Sequence, residues 1–171
     1  DQEWEAAHTV WIWADSSPSM LFKSNTAQVS KQSRALVLAL AMTEVLSKGG
    51  ERVGWPGVTN ALSSRVAAER IAAELMVAKA DTEPPFPPVE QIRNRSELIV
   101  FSDFLEPLQT TLDRLNATAE QGVHGSLIHI VDPAEENFPY AGRTEFEDPE
   151  SGQRLTYGRA ETLASDYAAL F

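Results

Sequence analysis

The 171-residue sequence contains no cysteine at all. This absence excludes disulfide bonds, thiolate zinc sites and cysteine nucleophiles. Basic residues are also few, with 14 lysines and arginines against 25 aspartates and glutamates, which gives a net charge of −11 at pH 7. Because nucleic-acid phosphates require a basic surface, this balance argues against a nucleic-acid partner. It favours a cation or a basic protein surface instead.

Long hydrophobic runs are missing as well. The longest one covers residues 35–42, far fewer than the roughly 20 apolar residues that span a bilayer, and no signal peptide is recognisable. We therefore expect no membrane segment in this chain and a cytoplasmic location, with membrane association of the full-length protein left open. The sequence starts at Asp1 rather than at methionine. We interpret residues 1–171 as a single domain and as a fragment of a longer protein.

Apolar segments with the lengths of strands and helices alternate along the chain, and this alternation predicts an α/β fold. It is typical of a mostly parallel, Rossmann-like sheet with helices on both faces. A C-terminal hairpin formed by residues 144–148 and 154–157 and a short helix at 159–170 complete the prediction. Residues 58–63 fit either an edge strand or a loop. The predicted strands are 10–14, 52–55, 97–101 and 127–131, and the predicted helices are 30–48, 64–80 and 107–121.

Three of the predicted strands end near an acidic residue: Asp15, Asp103 and Asp132. The carboxyl ends of parallel strands share one edge of the sheet, and ligands bind there, at the point where the strand order reverses. If the strand before Asp103 lies beside the first strand, Asp15 and Asp103 face each other across a crevice. The candidate site therefore requires that these two strands are neighbours in the sheet.

Asp15, Ser17 and Ser19 alternate after the first strand. An extended or tightly turned backbone directs alternate side chains the same way, and Pro18 keeps Ser17 out of the helical region. A carboxylate and two hydroxyls form a set of hard oxygen ligands, which suits Mg²⁺, Mn²⁺ or Ca²⁺ rather than zinc or copper. The same residues are also compatible with a simple turn in which they satisfy backbone donors.

Several motifs carry a resemblance to known families. They are Asp15-Ser-Ser-Pro-Ser-Met20 and residues 4–13, 50–54, 101–105 and 131–135. The first motif resembles the metal-ion-dependent adhesion site of von Willebrand factor A domains. Together, in this order, the motifs resemble the bacterial family catalogued as domain of unknown function fifty-eight. This resemblance covers almost the whole chain and implies a Rossmann-like sheet of the von Willebrand A type.

The resemblance also implies a set of metal ligands. Asp15, Ser17 and Ser19 match the first metal loop, and Asp103 matches the last one. Thr82 matches a threonine that usually follows glycine in von Willebrand A domains, although Asp81 stands at that position here. Such a site binds Mg²⁺, Mn²⁺ or Ca²⁺ and leaves one coordination position for a carboxylate of a partner protein. Because no residue supplies an obvious general base or nucleophile, we interpret the chain as a non-enzymatic interaction module. The family resemblance implies MoxR-type AAA+ ATPases as the partner class.

An enzyme is the alternative hypothesis. Asp15 at the end of the first strand is placed like the nucleophile of an aspartyl-phosphate phosphohydrolase. Such enzymes of the haloacid-dehalogenase type carry a second acid two residues later, where this sequence has Ser17. The sequence contains no Gly-x-Ser-x-Gly motif, which argues against a serine hydrolase. It also contains neither a Gly-x-Gly-x-x-Gly nor a P-loop motif, which argues against a nucleotide-binding site.

The acidic run formed by Glu145, Glu147, Asp148 and Glu150 also admits two interpretations. It could be a docking surface for a basic partner, or the solvated face of a hairpin. We favour the solvated hairpin, because charge runs usually face water.

Overall fold

The computed structural model describes residues 8–78, 86–92 and 95–170. A five-stranded sheet forms its centre, with the strand order β3-β2-β1-β4-β5. The strands are β1 (Thr9–Ala14), β2 (Arg52–Trp55), β3 (Thr59–Leu62), β4 (Glu97–Ser102) and β5 (His124–His129). β1 lies in the middle, and all its side chains except that of Thr9 are buried. Its continuous apolar run is therefore that of a strand covered on both faces.

The sheet is mostly parallel, as predicted. β1 pairs in parallel with β2 and β4, and β4 pairs in parallel with β5. β3 runs antiparallel to β2 and occupies one edge, so residues 58–63 contain an edge strand. The register aligns Ala14 with Phe101. This pairing brings the carboxyl ends of β1 and β4 side by side.

Helices flank the sheet. α1 packs on β1 and β2 and against α2. The Ser30 side chain caps α1 by accepting a hydrogen bond from Ser33 N, and Gly50, with a φ of 99°, lets the chain turn away after the helix. In the described part of the chain, no helix combines the length and the apolar character that crossing a membrane requires. The helices are α1 (Lys31–Lys48), α2 (Ala67–Val77), α3 (Leu108–Glu120), α4 (Pro133–Asn137) and α5 (Ala164–Leu170).

Two predicted elements differ from the structure. The helix predicted at 64–80 is α2, which begins later because the Ser64 hydroxyl accepts a hydrogen bond from Val66 N in a local turn. The strand predicted as buried at 127–131 is β5, which starts at His124 and has mostly exposed side chains. Among the residues that the structure describes, β5 lies at the sheet edge and pairs with β4 alone, so an apolar run here does not indicate burial.

The C-terminal segment, residues 133–170, forms a small unit beside the sheet. It contains α4, the predicted antiparallel hairpin of β6 (Thr144–Glu147) and β7 (Arg154–Tyr157), a 3-10 turn (Ala160–Leu163) and α5. Aromatic rings with centroids 5.0 to 6.1 Å apart join these pieces. These rings, which we call the aromatic cluster, belong to Phe138, Tyr140, Phe146, Tyr157 and Tyr167.

Candidate metal centre

The carboxyl ends of β1 and β4 form the floor of the candidate site. Asp15 follows β1 directly, and Asp103 follows β4 directly. The Asp15 backbone N–H donates to the Phe101 carbonyl at 2.8 Å, so the pairing of the two strands continues to the edge of the sheet. Both aspartates line one cavity of about 300 Å³ together with Ser17 and Ser19. β4 therefore lies beside β1, as the predicted site requires, and Asp15 and Asp103 lie at the same cavity.

The Asp15 carboxylate is fixed by two hydrogen bonds. Oδ1 accepts from the Ser17 backbone N–H at 2.8 Å, and Oδ2 accepts from the Ser102 hydroxyl at 2.6 Å. Burial raises the pKa of Asp15 above its ordinary value, and the hydrogen bonds from Ser102 and Ser17 offset this only in part. The nearby charge of Asp103 raises the pKa further. A cation placed here would relieve the cost of burying this charge.

Ser17 and Ser19 present their hydroxyls next to each other. Their Oγ atoms lie 3.2 Å apart, so the alternation seen in the sequence does direct both side chains the same way. Ser17 precedes a single 3-10 turn (Pro18–Leu21) that begins with the proline. The Ser19 backbone N–H points out of this turn and donates to Glu150 Oε1 at 3.0 Å.

Asp103 has a cationic partner that the sequence did not suggest. Its Oδ2 lies 2.8 Å from Lys31 Nζ, and its Oδ1 accepts from Leu105 N at 3.3 Å. Lys31 Nζ also lies 2.5 Å from Glu135 Oε1. The Lys31 side chain is only 2% exposed, so its ammonium group forms a buried link between the sheet edge and α4.

The donor set agrees with a hard cation in composition. Asp15, Ser17 and Ser19 offer carboxylate and hydroxyl oxygens in one cavity, and Asp103 keeps a carboxylate there although Lys31 holds one of its oxygens. Thr82 lies outside the described residues. Within the described ranges, no group of three or more histidine, aspartate or glutamate side chains could hold a metal ion. Binding would therefore depend on hydroxyl ligands as well as carboxylates.

Comparison with known proteins shows the family. The model of the family described as "Protein of unknown function DUF58" matches residues 1–170. The chain belongs to the DUF58 family. The resemblance noted in the sequence is thereby confirmed at the level of the family.

Two curated relatives of this DUF58 chain come from mycobacteria. Rv1480 of Mycobacterium tuberculosis (strain ATCC 25618 / H37Rv) and Mb1516 of Mycobacterium bovis, both described as uncharacterized proteins, are each 29% identical to it over 174 residues. The match covers 92% of this chain and 53% of each relative. The chain thus spans about half the length of the curated relatives it matches.

A solved structure shares the fold of this DUF58 chain. It is described as an aerotolerance-related membrane protein from Bacteroides fragilis NCTC 9343 with multiple mutations to serines. The TM-score is 0.50 at 16% sequence identity, and the match covers 95% of this chain and 87% of the other. At this identity the likeness supports the α/β fold alone.

Four side chains around the site were missed by the sequence analysis. Ser102 immediately precedes Asp103, so its proximity to Asp15 follows once β1 and β4 are paired. Glu135 had a local signal, because Asp132 and Glu135 form a capping box at the start of α4. Lys31 had none, and Glu150 was noted only as part of the acidic run, since each reaches the site from a part of the chain remote from its partner.

Proposed function

We propose that this DUF58 domain is a non-enzymatic protein-interaction module that works through a divalent cation of the metal-ion-dependent adhesion type. The observation that carries the proposal is the cluster at the ends of β1 and β4. There the fixed carboxylate of Asp15 lies in one cavity with the paired hydroxyls of Ser17 and Ser19. Mg²⁺ is the expected ion, with Mn²⁺ and Ca²⁺ as further candidates of the same hard character.

Asp15, Ser17 and Ser19 would hold the ion, with Asp103 on the opposite side of the crevice. Thr82 remains part of the proposal through the family resemblance alone. When bound, the cation supplies an open coordination position for a carboxylate of a partner protein. The Ser102 hydroxyl orients Asp15 for this task, and Lys31 orients Asp103.

The partner class comes from the family resemblance, which implies MoxR-type AAA+ ATPases in the cytoplasm. Because the chain spans about half of its curated relatives, the assembly of the whole protein with such an ATPase is part of the proposal. The acidic character of the chain, with a net charge of −11, favours a partner whose docking surface is basic around the bound carboxylate.

The aspartyl-phosphate alternative has less support in the geometry. Both carboxylate oxygens of Asp15 accept hydrogen bonds, and the position two residues later carries a serine that cannot act as a general acid. Among the described residues that line the cavity, none is a histidine or a lysine. Acid-labile phosphate on Asp15 after incubation with a phosphate donor would favour the enzyme over the interaction module.

Thermal denaturation with and without metal tests the cation site. Millimolar Mg²⁺ or Mn²⁺ should raise the Tm, because a ligand at 100 times its Kd stabilises the folded state by about 2.7 kcal/mol. Asp15→Ala should abolish this shift. Asp113→Ala is the matched control, since Asp113 is an exposed aspartate of α3 that pairs with Gln109. Absence of a shift in the wild type would contradict a working site.

Binding to a purified MoxR-type ATPase tests the partner. The immobilised domain should retain the ATPase in Mg²⁺ and release it in EDTA, and the Asp15→Ala variant should fail to retain it in either buffer. Retention that is equal with metal and with chelator would show that the interaction does not use the cation.

A further inference from the structure

The loop between β6 and β7 reaches over the candidate metal site. Glu150, in this loop, accepts a hydrogen bond through Oε1 from the Ser19 backbone N–H at 3.0 Å, although the two residues lie 131 positions apart. Glu150 and Asp148 line the same cavity as Asp15, Ser17 and Asp103. The hairpin thus forms one wall of the site.

The conformation of this loop is fixed by its own hydrogen bonds. The Asp148 carboxylate accepts from Glu150 N at 3.0 Å and from the Ser151 hydroxyl. The Gly152 N–H donates to the Asp148 carbonyl at 2.8 Å, and the φ of 70° at Gly152 closes the turn without the strain of a side chain. Glu150 is therefore presented by a preformed turn rather than by a disordered tip.

The charge of Glu150 is not balanced by a basic side chain, in contrast to two other acids of the hairpin. Glu145 and Glu147 both pair with Arg154. Within the described part of the chain, Glu150 has no ion pair, and its carboxylate faces a cavity that already contains Asp15 and Asp103. Like charges held close together disfavour one another. A cation held by Asp15, Ser17 and Ser19 would instead attract the Glu150 carboxylate from across the cavity.

We propose that Glu150 is a built-in occupant of the site, supplying in the free protein the carboxylate that a partner supplies in the complex. This inference rests on the proposed function, since it requires the cation site. The β6–β7 loop then acts as an autoinhibitory contact, and a partner carboxylate must displace Glu150 before it binds. Affinity for a partner is reduced by the fraction of molecules in which Glu150 remains in place.

Water relaxation by bound Mn²⁺ provides the test. Glu150→Gln keeps a carbonyl oxygen that can accept the Ser19 hydrogen bond but removes the carboxylate. We expect this variant to carry one more Mn²⁺-bound water than the wild type, which raises the relaxation rate of water protons per bound ion. A short peptide with a single glutamate should bind the Mn²⁺-loaded variant roughly tenfold more tightly than the Mn²⁺-loaded wild type.

Glu145→Gln is the matched control, because it removes one charge from the same hairpin at a residue paired with Arg154. It should behave as the wild type in both measurements. A peptide with glutamine in place of glutamate should bind neither protein.

Two failures are distinguishable. If the wild type and both variants bind no Mn²⁺, the proposed cation site is wrong, and the proposed role of Glu150 is wrong as well. If all three bind Mn²⁺ with the same relaxation rate and the same peptide affinity, the cation site stands and Glu150 is only a cap for the 3-10 turn at Pro18–Leu21.

Discussion

β1 and β4 bury most of the side chains they carry, whereas the strands of the C-terminal hairpin leave most of theirs in contact with water. The sheet is held by apolar packing and by ladder hydrogen bonds with two neighbours per central strand. The C-terminal segment is held together by the aromatic cluster and is attached to the rest of the protein by a few polar contacts. Those contacts join Lys31 to Glu135 and Ser19 to Glu150, and a further one joins Ser24 to Asp132, which directly precedes the segment.

The difference between the two regions explains how the site is built. Asp15 and Asp103 come from the rigid sheet edge, so their positions are fixed by the core. Glu150 comes from the exposed hairpin, whose attachment costs little to alter. A rigid set of ligands beside an adjustable wall is an arrangement suited to regulated binding. Substitutions in each region should therefore have very different effects on stability.

The buried ion pair between Lys31 and Asp103 should give the largest effect. Lys31→Met leaves Asp103 and Glu135 without their cation, and losing one partner of a buried pair costs about 3–5 kcal/mol. Denaturation in urea, with EDTA present, measures the loss of unfolding free energy. The double variant Lys31→Met/Asp103→Asn should recover part of it, because the unpaired buried charge is removed.

Lys48→Met serves as the control for this prediction. Lys48 pairs with Glu44 at 2.6 Å on the exposed face of α1, and such exposed pairs contribute about 0.5 kcal/mol or less. If the Lys31 and Lys48 variants lose equal amounts of stability, the buried link between sheet and α4 is not what holds this edge.

A pair of glycine substitutions compares packing in the two regions directly. A Cβ on Gly54 in β2 would lie 2.8 Å from the Trp11 ring and 2.9 Å from Ala61 N. Gly54→Ala should therefore destabilise the protein by about 1–3 kcal/mol through overpacking. Urea denaturation measures the change.

Gly158, just after β7, is the matched position, because a Cβ there would meet nothing within 4 Å. Gly158→Ala should change the unfolding free energy by less than about 0.5 kcal/mol. A large loss at Gly158 would mean that the C-terminal segment is packed as tightly as the sheet.

The boundary between the regions should give a smaller, pH-dependent effect. Burial raises the pKa of Asp132, but hydrogen bonds from Ser24 and Ala134, together with the charge of Lys31, outweigh it and lower the pKa below 3.8. Asp132 therefore contributes stability above pH 3.8, and this contribution is lost as the pH falls through the lowered pKa. Asp132→Asn, whose amide cannot accept from both Ser24 N and Ala134 N, should cost about 1 kcal/mol at pH 7.

The difference between wild type and Asp132→Asn should be smaller in thermal denaturation at pH 3 than at pH 7, because lowering the pH toward the lowered pKa of Asp132 begins to protonate its carboxylate. Asp113→Asn on the exposed face of α3 serves as the charge-matched control. A constant difference between the wild type and Asp132→Asn at both pH values would show that the charge of Asp132 does not stabilise α4.

The parts of the fold that the sequence predicted correctly are those with local signals. The apolar run at Val10–Ala14 and the cap at Ser30 each report on their own neighbourhood in the chain, and the same is true of the turn residues between β6 and β7. β5 was misjudged because Leu127 and Ile128 look alike in a central and an edge strand. Composition does not reveal how many neighbours a strand has.

The candidate site likewise contains residues that the sequence predicts and residues that it does not. Asp15 and Asp103 could be placed together because strand order and parallel pairing are fold-level properties. The contacts of Lys31 with Asp103 and of Glu150 with Ser19 could not be predicted. The partners lie 72 and 131 positions apart, and no periodicity links them. Long-range side-chain pairs of this kind become visible only when the backbone is known.

The pairing of β1 with β4 has a consequence for how the chain acquires its structure. Ser102 and Asp15, which meet at the end of this pairing, are separated by 87 positions. A chain emerging from the ribosome N-terminus first therefore presents β1, with both of its tryptophans, long before β4 has been made. Contacts so distant along the chain slow folding, and the apolar surface of β1 stays exposed until β4 has been made. The strand that anchors the site is thus also a segment that needs protection from aggregation during synthesis.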